Sequence, residues 1–370
     1  MFLTIIIAFF SLIALVVIHE LGHFTLAKMF GVKVEEFGLG YPPRLIGKKF
    51  GETLYSINLL PFGAFVRIHG EEGGVEDYQS FVGKSIWQRV LIVLGGVAAF
   101  WIIATVLFII VFSIGAEIPI NDEVNLNFDA KVRIVDVAAN SPASIAGLKT
   151  GDTIINLKFQ SDSRQISKVK DVQDFVSSYK GKEITLTIQR QNKVFDVSLT
   201  PRVSYPEGEG SMGVGLERTA TIIKKQFWYQ APLKGIIYCG KMTGEVIKGI
   251  VSIFFSLFKG RGLPVGAEPA GIVGITIFLA RAVEFGAGFF LYFVANIAIF
   301  VAIFNLLPIP ALDGGKLVFL FIEKIREKAV SPKIEQSITM AFFALLILFA
   351  IFVTIKFDIP RLSDFIKSEL

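Results

Sequence analysis

Long apolar blocks dominate the hydrophobic pattern of this chain and set its architecture. Phe2 to Ala27 carries one formally charged residue, Glu20, while Val90 to Ala116 and Phe285 to Pro310 carry none; Ser337 to Ile355 is also uncharged and just long enough. Crossing a bilayer takes ~20 consecutive apolar residues, because ~30 Å of hydrocarbon is covered at 1.5 Å per residue. The pattern therefore predicts four transmembrane helices, at 1–27, 90–116, 285–310 and 337–356. The first block is too long for a cleaved leader, lacks a basic region before it and holds His and Glu in its C-terminal part, so it is expected to stay in the mature protein.

Between the blocks the periodicity changes. Within a polar 28–89 loop, Leu54–Leu59 and Ala64–Ile68 flank Pro61-Phe62-Gly63, which predicts a β-hairpin over 53–69 with its turn at Pro-Phe-Gly. Residues 117–203 have a soluble composition. Alternating runs such as Val132–Val135 and Glu183–Ile188 surround a short helical stretch, Asp171–Tyr179, which predicts a compact α/β domain; a Gly-, Pro- and Glu-rich linker follows at 204–226. Lys234, Lys241 and Lys248 repeat every seven residues and so share one helix face. That predicts amphipathic helices in the membrane interface over 227–284. The rival reading is a fifth span, which would place three lysines in hydrocarbon.

Composition agrees. The chain of 370 residues is 53% hydrophobic and 19% charged, against ~45–50% and ~25% for soluble domains. Disorder, a coiled coil and a purely soluble fold are excluded. The net charge is 37 − 32 = +5, but the Lys and Arg residues are scattered with no basic-aromatic run, so the expected partner is the lipid bilayer and not nucleic acid. The lone cysteine, Cys239, excludes an intramolecular disulfide and a cysteine-rich zinc module. No Lys or Arg precedes the first span, whereas Lys28 and Lys33 follow it at once. The expected orientation puts the N-terminus and 117–284 outside and the 28–89 loop in the cytoplasm.

The chemistry sits inside the first span, in His19-Glu20-Leu21-Gly22-His23. Residues four apart on a helix differ by ~40° in azimuth and ~6 Å along the axis, so both imidazoles project from one face. Such a pair can grip one Zn²⁺ while the intervening Glu20 takes a proton from bound water. Ionisable groups within a span cost ~2.5–3.5 kcal/mol each on insertion scales, which argues against a packing role. A catalytic zinc wants three protein ligands. Two candidates for the third are His69, in the hairpin region, and Asp313, beyond the Pro308 and Pro310 break and before Gly314-Gly315; the alternative for His69 is a solvated loop residue, and for Asp313 a helix cap.

These motifs resemble the site-2 protease family of intramembrane zinc metalloproteases, in particular the bacterial branch typified by the regulator-of-sigma-E protease. The resemblance rests on His19–His23, on Asn305 to Gly315, on Asn58 to Val66, and on Ser141-Pro142-Ala143 with Ala146 to Ile154, which is similar to a PDZ domain. It covers nearly the whole chain. It implies a mainly α polytopic membrane protein with about four transmembrane helices, an inserted α/β PDZ-like domain and a membrane-associated β-hairpin. His19, His23 and Asp313 would be the zinc ligands, Glu20 the general base, and Asn305 a polar group near the scissile carbonyl. The implied substrates are single-span membrane proteins in a bacterial-type plasma membrane, with the PDZ-like domain outside, either gating access or binding a peptide C-terminus. Two departures stand out: Ala99 occupies a position where the family usually has Asn, and a Gly-Pro element survives as Glu268-Pro269-Ala270-Gly271. The competing classes are a catalytically silent, metal-containing membrane adaptor and a transporter. Intact Glu20 counts against the first, and the lack of polar residues in spans two and four against the second.

Overall fold

A computed structural model describes residues 2–71, 73, 75, 77–120, 122, 130–191, 193–206, 209–221, 227–260, 262, 269–284 and 286–369; Glu268 of the Gly-Pro element lies outside them. Among these residues four helices are long and apolar enough to cross a membrane. They are α1 (Phe2–Met29), α2 (Ile86–Ile114), α7 (Ala287–Asn305) and α9 (Pro332–Val353), the last continuing through a π-helical turn, Thr354–Asp358, into α10 (Ile359–Glu369). Ser85 starts α2 with a capping box, its hydroxyl accepting from the Gln88 amide while the Gln88 side chain returns to the Ser85 backbone.

Small residues let the spans approach closely, the main route to tight packing where lipid tails are as apolar as the side chains. The central cluster joins Ala8 and Leu15 of α1 to Val97, Phe100, Ala104 and Phe108 of α2 and to Ala295, Ala298, Ile299 and Ala302 of α7. Where α1 crosses α2, Gly22 lies against the Gly95 carbonyl, and a Cβ there would come within 2.9 Å of the Ala99 methyl. Ala99 is thus a contact residue of the crossing. By contrast α9 buries only Val353.

The segment 227–284 forms α5 (Ala231–Phe258) and α6 (Ile272–Glu284). Both pack into the same cluster as the spans, through Cys239 of α5 and Ile277, Leu279 and Ala280 of α6. The inner side of α5 follows α2, with Gly235 against Ile109 and the Tyr238 ring against Phe108 and Phe112. Their inner faces are packed against the bundle, which the lysine spacing alone does not indicate. At the start of α6, Asp358 from the π turn accepts the Gly271 amide at 3.1 Å, and Arg361 donates to the Pro269 carbonyl at 2.7 Å.

The membrane-side sheet differs from expectation. It pairs β1 (Val34–Phe50) with β2 (Thr53–Ile68), and the chain reverses at Gly51, where φ is +60°, not at Pro61-Phe62-Gly63. The latter three residues bend β2. Glu36–Leu39 consequently has Leu54–Ile57 on one side and Ala64–Arg67 on the other, while Arg44–Phe50 pairs back onto Thr53–Asn58. This leaves the Ala64–Ile68 stretch as an outer edge. Asn58 fixes the bend by donating to the Gly40 carbonyl at 3.1 Å.

The PDZ-like domain is a sheet in the order β3 (Glu117–Pro119), β9 (Val214–Thr221), β4 (Ala130–Val137), β5 (Thr153–Phe159), β7 (Ile184–Arg190), β8 (Lys193–Leu199), with β6 (Asp162–Gln165) on β5. Helices α3 (Pro142–Ile145) and α4 (Val169–Ser178) close its core around Ile134, Leu157, Phe175 and Leu186. The expected linker at 204–226 is corrected here: β9 falls inside it and pairs with both β3 and β4. Its polar neighbours disguise it, because it reads Val-Gly-Leu-Glu-Arg-Thr-Ala-Thr.

A third cluster fastens the sheet to the helices. Ala27, Val34, Ile68, Phe81, Ile92 and Leu320 meet where α1, β1, β2 and α2 converge on α8 (Asp313–Arg326). Beside it, buried Arg89 forms a two-pronged pair with Glu323, one prong at 3.0 Å. Removing one partner of such a pair strands the other charge, at a cost of ~3–5 kcal/mol. Glu323→Leu is expected to lower the thermal midpoint of the purified protein sharply, and the double change Arg89→Met with Glu323→Leu to recover most of the loss; equal midpoints for single and double variants would contradict the stranded-charge account.

Candidate metal centre

Two imidazoles and one carboxylate converge from two helices. His19 Nε2 and His23 Nε2 are 3.2 Å apart, and Asp313 Oδ2 lies 3.4 Å from the first and 3.5 Å from the second. His19 and His23 are buried and Asp313 is partly buried. Zinc–ligand bonds of ~2.0–2.1 Å in a tetrahedron put ligand atoms ~3.3–3.4 Å from one another. The three measured edges fit that spacing. Asp313 Oδ2 is buried with no hydrogen-bond donor of its own, the state of an atom whose partner is an ion.

Each candidate ligand is aimed by local structure. His23 Nδ1 lies 2.9 Å from the Ile92 carbonyl; a proton on Nδ1 donates there and leaves Nε2 as the free lone pair. The His19 ring stacks on Phe100, centroids 4.8 Å apart at 22°, and meets the His23 ring edge-on. Gly96 makes the arrangement feasible. A Cβ there would sit 2.5 and 2.6 Å from His19 Cε1 and Nδ1 and would overlap His23 Nε2. Asp313 arrives through the break after α7. Pro308 and Pro310 cannot continue a helix, so the chain turns tightly, with the Leu307 amide donating to Phe304 O and the Leu312 amide to Ile309 O. Gly314 and Gly315 then fold the first turn of α8 back onto the break; a Cβ on Gly315 would lie within 2.6 Å of the Ile309 carbonyl carbon.

The remaining sequence candidates separate clearly. Glu20 follows His19 on α1, with the backbone of Val66 on the outer strand edge near its carboxylate. Asn305 ends α7 and stands outside the ligand triangle. His69 is elsewhere: its Nδ1 is 2.7 Å from Glu35 and its Nε2 3.0 Å from Asp77. Three contributors to the site escape motif reading, namely Gly96, Phe100 and the Ile92 carbonyl. Of these only the Gly95-Gly96 pair leaves a signal, since paired glycines in a bulky span mark a close approach.

A His–His–carboxylate triangle shared between membrane-spanning α1 and the start of α8, with a glutamate between the histidines in sequence, fits a membrane metallopeptidase. The profile of peptidase family M50 matches residues 7–349, and the chain belongs to that family of site-2 type metalloproteases. A Clostridium acetobutylicum relative named as a candidate zinc metalloprotease is 34% identical, covering 96% of this chain and 97% of its own. The regulator of sigma-W protease RasP of Bacillus subtilis is 28% identical over 98% of this chain and 100% of its own. Zinc metalloprotease RasP of Geobacillus kaustophilus is 27% identical over 92% and 94%. Among solved structures, the PDZ domain of an SdrC-like protein from Listeria monocytogenes aligns with 25% of this chain and 93% of its own, at 19% identity and a TM-score of 0.21.

Two outcomes follow from this geometry. Gly96→Val should leave the protein membrane-inserted but cut metal content per chain at least tenfold, because a close-packed crossing has no room for the added side chain and the rings must move; elemental analysis after purification without chelators measures it, and full metal occupancy contradicts it. The second outcome concerns His69, whose pKa is raised above its ordinary 6.5 by the Glu35 hydrogen bond first and Asp77 next, while Asp77 is held below its ordinary 3.8 chiefly by His69. The stability from a raised His is fully present below 6.5 and lost as pH climbs through the folded value; that from the lowered Asp is present above 3.8 and lost as pH falls through its folded value. Proteolytic nicking of the 69–80 loop is therefore expected to rise as pH is taken upward from 6.5, and His69→Gln to flatten that rise. An unchanged pH profile in the variant contradicts the pairing.

Proposed function

We propose that this chain hydrolyses a peptide bond within or near the transmembrane segment of single-span membrane proteins, as a zinc-dependent intramembrane endopeptidase of regulated proteolysis. The observation that carries the reading is the triangle of His19, His23 and Asp313, with edges of 3.2, 3.4 and 3.5 Å, in which both imidazoles come from α1, a helix long and apolar enough to cross a membrane, and the carboxylate from the start of α8. Bound there, zinc supplies Lewis-acid polarisation of a carbonyl and a water acidified towards pKa ~7. His19, His23 and Asp313 hold it; Ile92 O and Phe100 keep the rings in place. Glu20 accepts the proton of the attacking water and returns it to the departing amine.

A helical substrate hides each carbonyl in an i→i−4 hydrogen bond, so it must unwind before it is cut. The Ala64–Ile68 edge suits an unwound segment added as a further strand, with main-chain bonds giving affinity and alternate side chains meeting pockets. One cavity of about 610 Å³ runs beside this edge, lined by Tyr41, Phe65, Arg67 and His69 among others. Asn305 is assigned to the scissile carbonyl by family likeness. The charge pattern supports an external N-terminus and an external PDZ-like domain in a bacterial-type plasma membrane. Arg281 of α6 donates to Asp136 of β4 at 3.1 Å, pinning that domain beside the bundle, which favours a gate against substrates with bulky outer parts. A 500 Å³ groove along α4 and β9, lined by Val172, Val176, Met212, Val214 and Leu216, favours a second reading for the same domain, capture of a peptide carboxyl terminus.

Glu20→Gln tests the core of the proposal. The variant should retain zinc at the wild-type ratio yet release no fragment when co-expressed with tagged single-span proteins that the wild type cuts. A variant with undiminished turnover would remove Glu20 from the mechanism, and a wild type that purifies free of transition metal would remove the proposal.

A further inference from the structure

We infer that Lys316 is a positioning residue that holds the substrate-accepting strand edge at a set distance from the helix bearing Asp313. This rests on the proteolytic reading above. Lys316 lies one helical turn beyond Asp313 on α8, and its Nζ donates to Glu71 Oε1 at 2.6 Å. Glu71 stands three residues past Ile68, where β2 ends, and β2 is the strand that passes Glu20 at Val66. A single charge-assisted bond thus links the ligand-bearing helix to the end of the strand edge.

Its surroundings give the bond a mechanical role. Both side chains are only about a quarter exposed, at 24% and 26%, so the pair is shielded more than an open surface bridge. The ammonium also sits over the ring of buried Phe81, 5.0 Å from its centroid. Cavities of about 510 and 500 Å³ lie on either side. Arg89 and Glu323 line one and Asp313 and Pro310 the other, while Glu71, Lys316 and Glu335 line both. Ile68 and Leu320 tie the strand end to α8 through an apolar cluster, but at Glu71 the chain has open space beside it, and there the ion pair is what spans the gap. Besides Glu71 and Asp313, two other carboxylates line these cavities with Lys316. Glu323 is engaged by Arg89, and Glu335 of α9 acts on Lys316 only through the field between them. Arg89 and Phe81 complete the neighbourhood, and neither offers an alternative hydrogen-bond acceptor.

A positioning role and a merely structural one differ in which ligand they affect. Acetohydroxamate reaches only the metal, whereas a peptide hydroxamate also has to lie along the strand edge. With the purified full-length protein in detergent, Lys316→Glu and Glu71→Lys should each weaken peptide-hydroxamate binding about tenfold. Acetohydroxamate affinity and zinc per chain should stay at wild-type values. The swapped double variant, Lys316→Glu with Glu71→Lys, should recover most of the lost affinity. Where a charge-reversed single variant does not accumulate, Lys316→Met and Glu71→Gln provide the same comparison. Wild-type peptide affinity in the single variants overturns the inference, as does a swap that restores nothing or an equal loss for both hydroxamates. A wild type that binds zinc but no hydroxamate overturns the proteolytic reading first, and the inference with it.

Discussion

The close crossing of α1 and α2 is the constraint on which the rest of the site depends. Gly22 meets the Gly95 carbonyl and the Ala99 methyl, and one residue further along α2 Gly96 lies directly beneath both imidazoles. A side chain larger than a proton at either glycine would separate the helices or displace the rings. Two consequences follow from the same contact. The Ile92 carbonyl comes within reach of His23 Nδ1, and Phe100 comes to lie flat on His19. The residues that orient the ligands therefore belong to the packing interface itself, so helix association and ligand alignment are one event. Ala99 fits this logic, since its methyl already lies so near Gly22 that a Cβ built on that glycine would come within 2.9 Å of it, which leaves little room for a longer polar side chain.

Asp313 has to reach the same point from the other side, and the chain does this by interrupting a helix. Between Asn305 and Asp313, Pro308 and Pro310 forbid helical continuation, and each freed backbone group needs a partner because hydrocarbon offers none. The amides of Leu306 and Leu307 find carbonyls in the last turn of α7, and those of Ile309 and Leu312 find carbonyls within the break itself. Gly314 and Gly315 allow α8 to begin against that turn. The carboxylate is thereby carried at a helix start, on a segment braced by Leu320 in the cluster shared with the end of α1 and the strand pair.

Much of this was legible in the sequence, and the limits have physical causes. The four spans could be read because apolar length is a strong signal, and the ligand pair because charges within such a block are expensive. Asp313 stood out through the prolines before it and glycines after it. The strand pair was read with the wrong reversal: Gly40, Gly47, Gly51 and Gly63 all punctuate that stretch, and only long-range pairing selects Gly51 as the turn. Strand β9 was hidden because it lies between two strands of the PDZ-like sheet, where its Arg218 is buried by hydrogen bonds, including one to the Ser167 carbonyl, and not by apolar packing. Gly96 was visible as a letter and invisible as a contact, since nothing local says which ring it faces.

The outer strand edge raises the deeper mechanistic question of how a peptide bond is made available in a place that favours helices. Every backbone group of a transmembrane substrate is already satisfied, so an unwound segment can persist only where replacement donors and acceptors are waiting. Ala64–Ile68 supplies them in the register of a strand, and the same edge passes close to Glu20 at Val66. On the proposed function, a segment added there would run past Glu20, and its position relative to Asp313 would be set by whatever ties the sheet to α8. The third cluster provides that tie through apolar contacts at Ile68 and Leu320, and Lys316 provides it through charge at Glu71. On the proposed reading the sheet is therefore as much a part of the catalytic apparatus as the helices, because unwinding and alignment both act through its free edge.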